Sequence, residues 1–329
     1  MRELAGMRDL DAWYSHDDAA SLGAELRRQH DGAAKTLEHA EVRARANDNV
    51  HELAKLTHVV EGEPRIVSDP PLVVPIAELE RGGCVEARLR EAFESYLRSL
   101  PSDRRVLLER FRYGDLARKV VGIGSVGRRC WIVLLLGRDE QDPLFLQVKE
   151  AQASVLEPFL GRSAFGSHAR RIVEGQRLSQ AAGDIFLGWA RAQGDGDGGR
   201  DFYVRQLRDW KVSIDVERIK PAGLATYARW CGATLAKAYA RSGDRIAIAA
   251  YLGKGDSFDE AVAAFARACA ELNERDHATL RDAVRGGRLS ATKASSSRRF
   301  RSLPQAIGSP ADADAGWNTD DGSRDETRC

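Results

Sequence analysis

The stretch ARKVVGIGSVGRRCWIVLLLGRDEQDPLFLQVKE, residues 117–150, decides the fold. Two apolar, β-rich runs, Leu116–Val121 and Cys130–Leu136, lie on either side of the glycine cluster GIGSVGRR. A third, Leu144–Val148, is reached through the turn GRDEQDP. Short apolar runs bounded by glycine, aspartate and proline predict strands. Two strands joined as a hairpin, with a third beside them, make an antiparallel sheet the simplest arrangement. The hairpin holds a GxGxxG string: Gly122, Gly124 and Gly127, with Ser125 inside it. In a dinucleotide fold such glycines join a strand to a helix whose N-terminus meets a pyrophosphate. In a kinase-type fold they turn one strand into the next over the phosphates of ATP. The residues after Gly127, RRCWIVLLLG, read as a strand, which removes the dinucleotide reading and leaves a kinase-type loop or an ordinary glycine-rich hairpin.

Lys149 ends the run LFLQVK, where the lysine of a kinase third strand would stand. Only nine of the 50 basic residues are lysines, so a lysine closing an apolar strand asks for an explanation. A snorkelling strand-end lysine is the bland one. A phosphate-contacting lysine needs a helix-borne glutamate to hold it. Glu174, in the helical stretch SHARRIVEGQRLSQAA, has the required place in the order, whereas Glu157 is followed by Pro158. Arg171 and Arg177, three residues to either side of Glu174, are competing partners for it.

Outward from this core the chain reads as helical to about residue 58, then as a proline-punctuated stretch, EGEPRIVSDPPLVVPI, that admits short extended pieces. Helices are predicted over Val85–Leu100 and Asp103–Phe111, and again from Ser167 to Ala182. Ile185–Ala190 and Phe202–Leu207 read as two further strands joined by QGDGDGGRD, and Leu224–Ala240 and Phe258–Val284 as helices. The stripe Leu224, Tyr227, Ala228, Cys231, Leu235, Tyr239 has helical spacing and is expected to be core. Asp244 reads as a turn residue closing the helix before it. Arg205 and Arg208 either bind phosphate or pair with Asp201 and Asp209. The composition from residue 290 to 329 predicts disorder. The fold class is therefore α+β. A mainly helical segment (1–115, with a Pro-rich linker at 62–76) precedes a glycine-loop sheet lobe with one packed helix (116–212), a helical segment (213–289) and the tail.

A net charge of +1 gives none of the basic excess that phosphate-backbone contacts need, so no nucleic-acid partner is expected. Nor is a membrane expected, since no apolar run approaches the roughly 18 residues of a span. The charged N-terminus does not resemble a signal peptide, and the cytoplasm is the expected compartment. Cys84, Cys130, Cys231, Cys269 and Cys329 are spread without a CxxC pair, and the histidines show no metal-ligand spacing, so no tightly bound metal is expected. Phosphoryl transfer needs an aspartate for the nucleophile and ligands for Mg²⁺, and the sequence contains no HRDxxxxN, HGDxxxxN or DFG.

Several longer strings carry a resemblance. ARKVVGIGSVGRRC (117–130), DPLFLQVKEAQASVLEPFLG (142–161), RIVEGQRLSQAAGDIFLGW (171–189), YVRQLRDWK (203–211) and CGATLAKAYARSGD (231–244) resemble the bacterial family catalogued as domain of unknown function 2252. So do AGMRDLDAWYS (5–15) and EPRIVSDPPLVVP (63–75), and the likeness runs from about residue 5 to 288. The resemblance implies a further segment ahead of this one, with CGDAHxxNFG-like and FDxNDFDE-like strings similar to the catalytic loop and metal-binding aspartate of aminoglycoside-phosphotransferase-like kinases. This chain lacks both strings. It is expected to be a truncated member: either a lobe that binds ATP with Mg²⁺ through Gly122, Gly124, Ser125, Gly127, Lys149 and Glu174, vestigial or dependent on a separately encoded catalytic segment, or a non-enzymatic partner-binding remnant. Truncation would leave Leu10, Trp13 and Tyr14, or the Val73–Ile76 stretch, uncovered. Tyr239 departs from the histidine more usual in the family.

Overall fold

A computed structural model describes residues 1–17, 49–79, 84–120, 127–192, 199–207, 216 and 219–291. The chain opens with helices α1 (Arg2–Ala5), α2 (Asp9–Tyr14) and α3 (Asn49–Leu56). Strands β1 (Thr57–Val60) and β2 (Glu63–Ile66) form a hairpin, followed by β3 (Val73–Pro75), α4 (Ile76–Leu79), α5 (Cys84–Ser99) and α6 (Ser102–Leu108). Three long strands follow, β4 (Arg112–Lys119), β5 (Cys130–Leu136) and β6 (Pro143–Ala151). Then come α7 (Glu157–Leu160), α8 (His168–Ser179), β7 (Gly188–Ala192), β8 (Arg200–Gln206), α9 (Pro221–Ser242), α10 (Arg245–Leu252) and α11 (Ser257–Arg285). Mixed helices and antiparallel sheet make the fold α+β.

The main sheet has the order β3-β4-β5-β6-β8-β7, antiparallel throughout. β4, β5 and β6 form a meander, and the turn between β5 and β6 is built by its acids. The Asp142 carbonyl accepts from Gly137 N at 2.8 Å, its carboxylate accepts from Arg138 N at 3.1 Å, and Asp139 accepts from Gln141 N at 3.0 Å. Aspartates holding nearby backbone N–H groups stabilise such turns. At Gly114 the β4–β5 register slips by one residue. A Cβ there would stand 3.2 Å from both the Leu134 side chain and its carbonyl oxygen. β4 starts at Arg112, four residues before the apolar run that announced it, and the helix expected over Asp103–Phe111 ends at Leu108, three residues short of that expectation.

Both faces of the sheet are covered, which is why β5 and β6 read as unbroken apolar runs. On one face α5 brings Tyr96, with Leu100 just beyond its end, against Leu135, Leu144, Leu146, Phe186, Ala190 and Val204. The Tyr96 hydroxyl donates to the Phe186 carbonyl at 2.7 Å. On the other face Leu56 and Ile66 close over Val73, Ala117, Ile132, Leu134, Leu136 and Phe145. The β1–β2 hairpin is fixed there by buried Asp115, whose carboxylate accepts from Ile66 N at 2.7 Å and Leu116 N at 2.8 Å.

The helical region after residue 219 differs from expectation at two points. Leu224, Leu235 and Tyr239 are 43%, 55% and 55% exposed, and Cys231 is exposed too, so the α9 stripe is a surface rather than core. Its spacing defines an apolar face correctly, but among the described residues nothing closes over it. Asp244, in turn, opens α10: its carboxylate accepts from Ile246 N at 2.9 Å and Ala247 N at 3.0 Å, as an N-cap residue does. α1 and α2 lie along α9 and α10 through arginine contacts. Arg245 donates to the carbonyls of Leu4 and Met7 and pairs with Asp9 at 2.6 Å, and the Arg241 guanidinium lies 4.1 Å from the centre of the Trp13 ring. Leu10, Trp13 and Tyr14 are exposed while Val73 and Val74 are buried, and no residue of α11 is buried. No helix among the described residues is long and apolar enough to cross a membrane. Residues 292–329, where the tail was expected, lie outside the described residues.

Candidate functional site

Cross-strand partners share a face of the sheet, so the register assembles the site. Cys130 of β5 stands opposite Lys149 of β6, Lys149 opposite Tyr203 of β8, and Tyr203 opposite Trp189 of β7. The next row, two residues along each strand, carries Ile132, Gln147 and Arg205. Lys149 therefore faces the same way as Phe145 and Ile132, at the end of the sheet where β4 turns into β5. That turn joins two antiparallel strands, and Gly127, at φ +70°, begins the approach to β5. A strand-to-helix dinucleotide loop is incompatible with this pairing. Gly122, Gly124 and Ser125, named above as phosphate-loop residues, lie outside the described residues.

α8 starts with two acceptors on its free N–H groups: Ser167 Oγ takes Arg170 N at 3.2 Å and Asp201 takes His168 N at 2.7 Å. The guanidinium groups of Arg170 and Arg177 each lie 5.6 Å from the centre of the Trp189 ring. Because Trp189 belongs to the Lys149 row, α8 covers the face on which Lys149 stands. Glu174 belongs to the helix, but its ion pairs go to Arg170 at 3.9 Å and Arg177 at 3.7 Å. Among the described residues Lys149 has no ion pair with Glu174 or any other carboxylate. Arg171, the other candidate partner of Glu174, donates instead to the Gln152 carbonyl at 2.9 Å. Glu157 lies 3.9 Å from His168.

Among the described residues Lys149 and Arg205 have no carboxylate ion pair, while Asp201, one row beyond Lys149 on the same face, pairs with Arg191. Half-buried Lys149 has its pKa lowered, chiefly by burial, with neighbouring Cys130 opposing and the positive charge of Arg205 adding to the depression. Burial pushes the Cys130 thiol up to about 11, against the pull of Lys149, Lys119 and Arg205, so it is protonated at neutral pH and a poor nucleophile. Burial likewise raises Tyr203, against Arg205 and Arg128. Gln147, 2% exposed, accepts from Arg205 Nε at 3.4 Å. Asp201, proposed above as a partner for Arg205, pairs with Arg191 at 3.8 Å instead. Gln147 and Tyr203 went unnoticed in the sequence, although the alternation Phe145, Gln147, Lys149 on β6 and Tyr203, Arg205 on β8 already puts each set on one face. Among the described residues no three His, Cys, Asp or Glu side chains gather in a way that would hold a metal.

The chain belongs to the family described as an uncharacterised protein conserved in bacteria (DUF2252), which its residues 1–283 match. Among curated proteins and among solved structures nothing matches the chain.

Proposed function

We propose that the sheet and α8 form a kinase-like lobe that binds the phosphates of a nucleotide such as ATP, with Mg²⁺ arriving on the nucleotide. The observation that carries this reading is connectivity. The segment that holds the glycine string links β4 to β5, β6 carries Lys149 two residues before its end, helices follow, and β8 returns beside β6. The lysine on the third strand and the glutamate on the helix after it are the parts such a lobe uses. Gly122, Gly124, Ser125 and Gly127 would bring backbone N–H groups to the phosphates. Lys149 would supply the charge, and Glu174 would exchange an arginine partner for it. The carboxylates of phosphoryl transfer would come from a separately encoded segment, since this sequence offers no DFG or HRDxxxxN.

Calorimetry of the purified chain with Mg²⁺–ATP tests this. Binding no tighter than about 0.1 to 1 mM is expected, equivalent to roughly 4 to 5.5 kcal/mol, with turnover close to nil. Lys149→Ala should abolish the binding; affinity unchanged by that substitution overturns the site, and robust turnover by the chain alone overturns the missing-carboxylate argument. A second reading, a non-enzymatic partner-binding domain, rests on the Arg170–Glu174–Arg177 cluster, which keeps Glu174 from Lys149. Absence of any nucleotide binding would favour it.

The depressed Lys149 pKa makes a further prediction for the same experiment. Phosphate binding needs the ammonium, so affinity should fall as pH rises, beginning below the ordinary lysine value of about 10.4. Lys149→Arg, which stays charged, should move that loss to higher pH. A profile flat to pH 10 in the native chain would show that Lys149 does not touch the ligand.

A further inference from the structure

Lys149 and Arg205 are diagonal neighbours on one face of paired strands, since Lys149 stands opposite Tyr203 and Gln147 opposite Arg205. Diagonal neighbours in such a pair are roughly 7–8 Å apart at Cα, within reach for long side chains. Like charges so placed repel, and each is half-buried. Among the described residues no carboxylate pairs with either. The repulsion is also structured. Gln147, almost wholly enclosed, accepts from Arg205 Nε and so turns the guanidinium along the face where Lys149 projects. The same region feels Lys119 and Arg128, which act on Cys130 and Tyr203. A surface arginine is normally free to swing into water. One tethered by a buried amide beside a desolvated lysine is held for something negative.

We infer that Arg205, oriented by Gln147, is a second anion contact beside Lys149, and that this face recognises an oligophosphate chain by charge rather than by the base attached to it. The inference rests on the nucleotide-lobe reading for its ligand class and goes beyond it in residue and specificity. A guanidinium fork matches phosphate oxygens two at a time, whereas an ammonium acts as a point charge, so the two cations hold a multiply charged chain better than either alone. A cation and a buried amide in the row next to Lys149 leave that row poorly suited to an apolar base-stacking floor.

The test is titration of the full chain with Mg²⁺–ATP, Mg²⁺–GTP, inorganic tripolyphosphate and adenosine, for the native protein, Arg205→Ala, Arg205→Gln and Lys149→Ala. Tripolyphosphate and GTP should bind within about threefold of ATP, and adenosine not at all. Arg205→Ala should weaken tripolyphosphate and ATP by about tenfold and flatten the dependence of affinity on salt, as losing one phosphate-contacting cation does. Arg205→Gln keeps a donor for Gln147 without the charge and should show the same loss at an unchanged melting temperature, which a purely structural arginine would not. It decides the matter if the alanine variant unfolds. Native-like affinity in Arg205→Gln, with binding still lost in Lys149→Ala, overturns the role of Arg205 and leaves the nucleotide reading standing. Tripolyphosphate binding without ATP binding overturns the nucleotide reading and leaves the anion site. ATP bound more than tenfold tighter than tripolyphosphate overturns recognition by charge.

Discussion

Phe145→Ala is expected to cost about 3–5 kcal/mol of stability, the usual loss for a phenylalanine deleted from a packed core. Phe145, the third residue of β6, is fully enclosed between Leu134 of β5 and Leu207 just past β8, whose N–H its carbonyl accepts at 2.9 Å, and packs within the cluster formed by Leu56, Ile66, Val73, Ala117, Ile132, Leu134 and Leu136. Strands on both sides fix its backbone, so the cavity cannot close by moving β6. Phe145→Leu should cost under about 1.5 kcal/mol, because most of the volume is kept. Urea unfolding of the two variants beside the native chain measures the difference. A loss below 1 kcal/mol for the alanine would mean that this cluster is not a close-packed core. Phe145 lies two rows below Lys149 on the same face, so the alanine variant also measures how far the site depends on the packing beneath it.

The parts of the fold legible in the sequence were those in which local chemistry and tertiary position agree. β5 and β6 are apolar on both faces because α5 covers one and the β1–β2 hairpin with α3 covers the other, and their composition alone marks them as buried strands. α8 was legible in its helical pattern, and Ser167, where that pattern was read to begin, is the residue whose side chain caps it. The β1–β2 hairpin was not, because its place is set by the Asp115 carboxylate receiving a backbone N–H from 49 residues earlier. The α9 stripe failed for a related reason: helical spacing says which residues share a face but carries no information about what covers it. Asp244 was mistaken because Gly243 ends one helix and an N-cap for the next follows at once.

At the candidate site the same division holds. Lys149 was found because a lysine closing an apolar run is unusual, while Glu174, the helix glutamate expected to hold it, is paired with arginines. Glu174 has arginines four residues before and three residues after it on its own helix, neighbours that need no tertiary approach to meet it. A lysine on a separate strand competes for that carboxylate only if the helix is drawn towards it. Arg205 was recognised as a phosphate candidate, yet its alignment with Lys149 was hidden, because β8 pairs with β6 across the intervening β7 in sequence. Non-sequential pairing has no local signature, and the register it sets decides which side chains share a face.

Gly188→Ala should destabilise the chain by about 2–3 kcal/mol, near the upper end for overpacking. Gly188 opens β7 where α5 crosses the sheet, and a Cβ there would stand 2.6 Å from Ser99 Oγ, 2.8 Å from a Tyr96 ring carbon and 3.0 Å from Leu100 Cδ2. None of the three can yield cheaply. Ser99 Oγ donates to the Tyr96 carbonyl at 2.7 Å and accepts from Trp189 N at 2.9 Å. Tyr96 is 2% exposed and held by its bond to Phe186, and Leu100 is buried in the same cluster. Either β7 or α5 must shift, and the serine bond to Trp189 is the contact most exposed to that movement. Since Trp189 carries the guanidinium groups of Arg170 and Arg177, the shift reaches α8 and the residues around Glu174. Thermal unfolding should show the loss, and Ser99→Ala should recover part of it by removing the nearest atom, the reverse of what two independent substitutions would do. If Gly188→Ala melts with the native chain, β7 does not approach α5 as closely as these distances require.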